Sequence, residues 1–289
     1  MRRIDAHQHF WQPARGDYAW LRADVPELAP LLRDFLPEDI LPLLQAGGIA
    51  QTVLVQAAES VAETEFLLDL ATRHDLIGGV VGWVDLARSD AASTIERLAE
   101  HPKFKGVRPM LQDLPQADWI ARAPRPDAIR ALVRLGLRFD ALVKPEHLPA
   151  LLQFVRAWPD LPVIIDHAAK PRLAQGWQSE WAMDWGRHLS ELAALPRVSC
   201  KFSGLVTELP PAACTSTEAT VTALQPVWDA LLQWFGPARL LWGSDWPVLT
   251  LATSHASWIA ASEKLLGSLA PAEQHQVWHG TARRVYGLA

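Results

Sequence analysis

Two cysteines, Cys200 and Cys214, are the only thiols in 289 residues, and they form no CxxC pair. That excludes a secreted disulfide framework and points to a reducing, cytoplasmic setting. No stretch reaches about 18 uninterrupted apolar residues, so no membrane span is expected. The basic opening Met1-Arg2-Arg3 is soon interrupted by Asp5 and by three polar residues at 7 to 9, which does not fit the apolar core of a signal peptide. Blocks of like charge are missing as well. With a net charge of -5 the chain offers no electrostatic footing for nucleic acid or an anionic membrane, and small-molecule chemistry is the expected class. Internal repeats and low-complexity linkers are absent, and oligomeric state is left open.

What is present is a large apolar fraction, 49% of residues, enough for a sizeable core in a single domain spanning residues 1–289. Eight runs rich in Val, Ile, Leu and Phe read as strands: Ile4–Phe10, Thr52–Gln56, Gly79–Val84, Gly106–Met110, Leu137–Val143, Val163–His167, Val198–Ser203 and Leu240–Ser244. Between them, apolar residues at three- and four-residue spacing predict helices over Pro37–Ala46, Val61–His74, Ala91–Glu100, Asp127–Leu135, Leu148–Ala157, Ala182–Ala194 and Ala223–Phe235. Ser60 and Asp90 are placed to cap two of them. Strands alternating with helices require parallel crossovers, and eight such units predict a distorted (β/α)8 TIM-type barrel. An open doubly wound sheet would more naturally carry a Gly-rich phosphate turn after its first strand, where this chain has His7-Gln8-His9-Phe10-Trp11. Two further helices, Trp258–Leu266 and Ala272–Tyr286, are expected outside the barrel or across its bottom. The long connections Gln12–Phe35 and Leu205–Thr222 are expected at the C-terminal mouth.

A barrel interior is normally filled by branched apolar side chains, so ionisable groups at one set of strand ends need a reason, and a polar substrate is the obvious one. Residues two apart on a strand share a face, which projects His7 and His9 together, with Asp5 one step deeper on the same face as either an acceptor orienting an imidazole or a buried structural hydrogen bond. Asp245 follows Gly243-Ser244 where the eighth strand should run out, and His167 ends the sixth. Arg108, Glu59, Asp140 and Lys201 complete the candidate rim as substrate contacts. Trp11 and Trp246 directly follow strands that carry these groups, and their faces suit the C–H faces of a sugar.

These segments together resemble the amidohydrolase superfamily, in particular its lactone-hydrolysing branch, which includes L-fuconolactonase, L-rhamnonolactonase and the pyrone-dicarboxylate lactonases. The matching pieces are Ile4-Asp5-Ala6-His7-Gln8-His9-Phe10-Trp11, Gly106-Val107-Arg108, Asp166-His167-Ala168-Ala169-Lys170-Pro171, Lys201-Phe202-Ser203-Gly204-Leu205, Trp242-Gly243-Ser244-Asp245-Trp246-Pro247 and the tail Ala282–Leu288. The resemblance implies a histidine pair on the first strand and a catalytic aspartate after the eighth. Members holding two metals place a lysine on strand four and a histidine on strand five, where this chain has Arg108 and Asp140, so the bridging ligand is missing.

The expected reaction is hydrolysis of an aldonolactone such as L-fuconolactone or L-rhamnonolactone. Asp245 acts as general base on water, and His7, His9 and His167 polarise the carbonyl. The expectation leans to no required cofactor, with a single divalent ion such as zinc on His7, His9 and Asp245 as the rival. A metal-dependent decarboxylase and a non-catalytic sugar-acid binding protein are the alternative functions.

Overall fold

The computed structural model describes residues 2–289. Eight parallel strands follow one another around a single sheet: β1 (Arg3–Gln8), β2 (Ile49–Val55), β3 (Ile77–Gly82), β4 (Phe104–Val107), β5 (Arg138–Ala141), β6 (Val163–Ile165), β7 (Val198–Phe202) and β8 (Leu240–Trp242). The sheet closes through a parallel bridge between Gln8 and Trp246, beyond the regular end of β8. Asp245 N–H donates to the His7 carbonyl and His9 N–H to the Trp246 carbonyl, each over 2.8 Å. The barrel expected from the sequence is therefore present, and its seam is short and irregular.

Two apolar layers hold it. Between strands and surrounding helices, residues such as Leu54, Val80, Phe139, Leu151 and Trp228 form the larger core. Inside the barrel floor, Ile4, Ala6, Val53, Val81, Ile164 and Leu241 pack against Ala282, Val285 and Tyr286 of the last helix. The C-terminal helix thus plugs the bottom, one of the two positions expected for it. It runs from Pro271 to Tyr286 with a π turn at Gln276–Gly280.

The strands stop short of the apolar runs in the sequence: β1 ends at Gln8 rather than Phe10, β6 at Ile165 rather than His167, and β8 at Trp242 rather than Ser244. Each remainder leaves the ladder to build the mouth. Ser60 caps its helix by accepting the Glu63 N–H over 3.1 Å. Asp90 makes no such bond, because its carboxylate is taken by Arg88 at 2.9 Å. The Leu205–Thr222 connection is shorter than expected: Ser216 caps a helix that starts at Thr217, six residues before Ala223. No helix among the described residues is long and apolar enough to cross a membrane.

Candidate active site

Between Asp5 and Gln8, β1 advances three residues while β2 advances two, since Asp5 faces Thr52 and Gln8 faces Leu54. This bulge breaks the two-residue alternation and corrects the placement of Asp5. Its carboxylate does not reach the imidazoles. Oδ1 instead accepts the backbone N–H of His7 at 3.1 Å and of Ser244 at 2.8 Å, stitching the two ends of the barrel together. Burial pushes its pKa up to about 7. His7 within the irregular stretch and His9 just past the strand end present their Nε2 atoms 3.2 Å apart.

Opposite them, Asp245 sits in the left-handed region with φ 60°, a conformation that aspartate tolerates better than most residues. Gly243 lets the seam close this tightly, because a Cβ there would lie 2.8 Å from the His7 Cβ. Asp245 Oδ1 lies 3.2 Å from His9 Nε2, 3.6 Å from His7 Nε2 and 3.8 Å from His167 Nε2. His167 arrives by a route the sequence reading missed. It lies past β6 in a turn where four consecutive non-glycine residues, His167 to Lys170, all have positive φ, between 48° and 60°. Such strain persists only where the surroundings impose it. Here Trp185 Nε1 bonds the Ala168 carbonyl at 2.8 Å, His167 Nδ1 meets Ser203 Oγ at 3.0 Å, and Gly204 leaves room under the ring.

Electrostatically the site is one carboxylate beside two imidazoles, His7 and His167, that are held neutral. Burial pushes the Asp245 pKa up, but the surrounding His167, His9 and His7 outweigh it and hold the group well below the usual carboxylate range. Burial drives His167 down to about 4, and burial together with the Lys201 charge holds His7 well below its ordinary value. His9 Nδ1 lies 2.8 Å from the Val55 carbonyl, which can only accept. That fixes the His9 proton on Nδ1 and leaves Nε2 as an acceptor facing Asp245.

Asp140 and Lys201 lie one layer beneath the imidazoles. Both are fully buried and neither lines the cavity, where the sequence reading expected hydroxyl contacts of them; their side chains are bonded into a network instead. Lys201 Nζ donates to Asp140 Oδ2 at 2.6 Å, Tyr286 O–H donates to the same oxygen at 2.7 Å, and Asp166 Oδ1 lies 2.9 Å from the ammonium. Burial raises Asp140 to about 6 against the pull of Lys201. Asp166 goes the other way, because the Lys201 and Arg108 charges outweigh its burial. Arg108 Nη1 stands 3.4 Å from both Asp166 Oδ2 and His7 Nε2, and its Nη2 bonds the Gln56 carbonyl.

Above this floor opens a cavity of about 370 Å³. Its lining mixes apolar side chains, among them Trp11, Trp20, Leu28, Met110 and Leu142, with polar ones, Arg108, Gln112, Asp113 and Lys170, and includes His9, His167 and Asp245. Trp11 lines it as expected. Trp246 does not: it packs edge-on to Phe10 and Phe35 under the seam. Glu59 is exposed outside the cavity, its pKa raised by partial burial and by Asp113 and Asp85. Lys170, Gln112, Asp113, Trp20 and Asp166 were not picked out from the sequence. Of these, only Asp166 and Lys170 had a signal, as neighbours of His167 within one matched segment.

The donor set fits a divalent cation. With zinc–nitrogen bonds of about 2.1 Å, tetrahedral ligands stand about 3.4 Å from one another. The three distances among His7 Nε2, His9 Nε2 and Asp245 Oδ1 are 3.2, 3.2 and 3.6 Å, with His167 alongside.

Comparison with known proteins agrees with this geometry. A family model described as amidohydrolase matches residues 4–288. The chain is 45% identical to an L-fucono-1,5-lactonase of Burkholderia ambifaria and 39% identical to one of Burkholderia multivorans, each match covering 99% of this chain and 96% of the relative. It superposes on the crystal structure of a Burkholderia multivorans amidohydrolase with bound zinc at a TM-score of 0.90, with 37% identity and both chains covered completely.

Proposed function

The chain belongs to the amidohydrolase family, and we propose that it hydrolyses a sugar-derived lactone, an aldonolactone such as L-fuconolactone or L-rhamnonolactone, to the free acid. The observation that carries this reading is the ionised Asp245, 3.2 to 3.8 Å from three imidazoles, which with His9 and His167 lines a cavity of mixed aromatic, aliphatic and polar character. Trp11 and Trp20 offer faces for the C–H side of a deoxy sugar, and Gln112, Asp113 and Lys170 offer partners for its hydroxyls. A doubly anionic substrate would call for more cations than Arg108 and Lys170.

In the proposed reaction, water is held between Asp245 and the acceptor Nε2 of His9. Asp245 takes its proton as the water oxygen bonds to the lactone carbonyl carbon. His7 and His167 donate hydrogen bonds to the carbonyl oxygen, which gains charge at the tetrahedral stage, so they stabilise that stage more than the ground state. The ring C–O bond then breaks and Asp245 returns the proton to the leaving oxygen. Arg108 orients the substrate. This assigns His9 to the water rather than to the carbonyl, as its bond to Val55 requires.

A single divalent ion held by His7, His9 and Asp245 with His167 beside them would supply Lewis-acid polarisation of the carbonyl. The chain's own donors and its ionised base already cover that need, so turnover is proposed not to require the ion. The unpaired thiols of Cys200 and Cys214 support a cytoplasmic location.

A panel of aldonolactones followed by proton release tests the reading. Turnover of 6-deoxy sugar lactones above pyrone dicarboxylates supports it; release of carbon dioxide from a carboxylated aromatic, or tight binding without turnover of any lactone, contradicts it.

A further inference from the structure

His7, His9 and Asp245 converge through three atoms, and each pair is close enough that something must lie between them. If all three atoms offered only lone pairs, acceptors 3.2 Å apart would repel in a buried site. Either a cation or a proton relieves this. His9 Nε2 does not supply the proton, since the ring's proton is committed through Nδ1 to the Val55 carbonyl, and a carboxylate oxygen offers only lone pairs. The choice falls to His7.

Its Nδ1 lies 3.1 Å from Lys201 Nζ, in hydrogen-bonding geometry. An ammonium carries donors only, so that nitrogen must accept. The rival partner, Asp166 Oδ1, stands farther off at 3.4 Å and faces the Lys201 ammonium at 2.9 Å. Arg108 Nη1 also approaches Nε2, at 3.4 Å, but has Asp166 Oδ2 at the same distance as an alternative acceptor.

We propose that Lys201 is a positioning residue that sets the tautomer of His7: by donating to Nδ1 it places the imidazole proton on Nε2, where it points into the catalytic cluster. The inference rests on the lactonase reading for its use. There, the Nε2 proton makes His7 a hydrogen-bond donor to the developing oxyanion. The same proton occupies the lone pair that a divalent ion would need, so Lys201 tunes the cluster toward proton-donor chemistry and weakens metal binding. Asp140 and Tyr286 hold the ammonium from the far side.

The test needs no substrate, so it stands apart from the fate of the lactonase reading. Histidine-15N-labelled full-length protein is freed of metal, and its imidazole nitrogens are read by long-range 1H–15N correlation at pH 8, with His7 assigned by the signal lost in His7→Gln. The wild-type spectrum is expected to show protonated Nε2 and bare Nδ1; the reverse pattern overturns the proposal. In Lys201→Met the proton is expected to move to Nδ1, facing Asp166, and zinc measured by calorimetry is expected to bind about tenfold or more tightly. Tighter zinc with no movement of the proton would reduce Lys201 to a nearby positive charge and overturn the assignment. Should Lys201→Met fail to fold with Asp140 and Asp166 left facing each other, Lys201→Met combined with Asp140→Asn serves in its place, and the wild-type spectrum decides by itself.

Discussion

The Asp245 N–H donates to the His7 carbonyl over 2.8 Å, and the side chains of the same two residues meet at 3.6 Å. Barrel closure and assembly of the catalytic cluster are therefore one event. Anything that loosens the seam between β1 and β8 should cost activity before it costs the fold.

Gly243→Ala tests that coupling. Its Cβ would press on the His7 Cβ and on the His7 backbone nitrogen, at 2.8 and 3.0 Å. Overpacking of this kind costs about 1–3 kcal/mol. Denaturant unfolding should register that loss, and turnover should fall by more than the small unfolded fraction explains.

Arg108→Ala should raise KM about 10- to 100-fold, the scale of one lost charge-assisted hydrogen bond, with a smaller effect on kcat. Steady-state kinetics on the best lactone reads this directly. An unchanged KM removes Arg108 from substrate orientation and leaves it as the partner of Asp166 and Gln56.

The pH profile follows from the directions of the shifts. Asp245 is held below the ordinary carboxylate range and His167 is lowered to about 4, so base and neutral imidazole coexist at every pH above that value. On this account His167 gains its proton only near pH 4, and a 15N titration of its imidazole should place the midpoint there. A His167 midpoint near the ordinary histidine value would contradict it.

Exhaustive chelation, with metal content measured, should leave kcat/KM within about twofold of the untreated enzyme, whereas a Lewis-acid role would cost orders of magnitude. Activity that disappears and returns with zinc would transfer the polarising role from His7 and His167 to the metal.

The barrel was legible because apolar runs and helical spacing alternate along the chain, and the His7–His9 pair because two residues of extended backbone bring both rings to one side. Of the two roles open to Asp5, orienting acceptor and buried structural hydrogen bond, the structure shows the second, and the irregular register between Asp5 and Gln8 is why spacing could not choose between them. The left-handed turn that carries His167 is imposed by Trp185, Ser203 and Gly204, all distant in sequence, so the local pattern read as strand. Lys201, Asp140 and Tyr286 form one buried network from β7, β5 and the last helix, and no spacing in the chain announces it. Trp246 and Glu59 were placed correctly along the chain, but one turns into the seam and the other into solvent.

The central claim is that Asp245 is the base that activates water, and the most direct measurement is proton release from L-fucono-1,5-lactone by Asp245→Asn beside the wild type. The account predicts turnover reduced by about 10²–10⁴ with the fold and KM essentially kept. Near-wild-type turnover in that variant would contradict it.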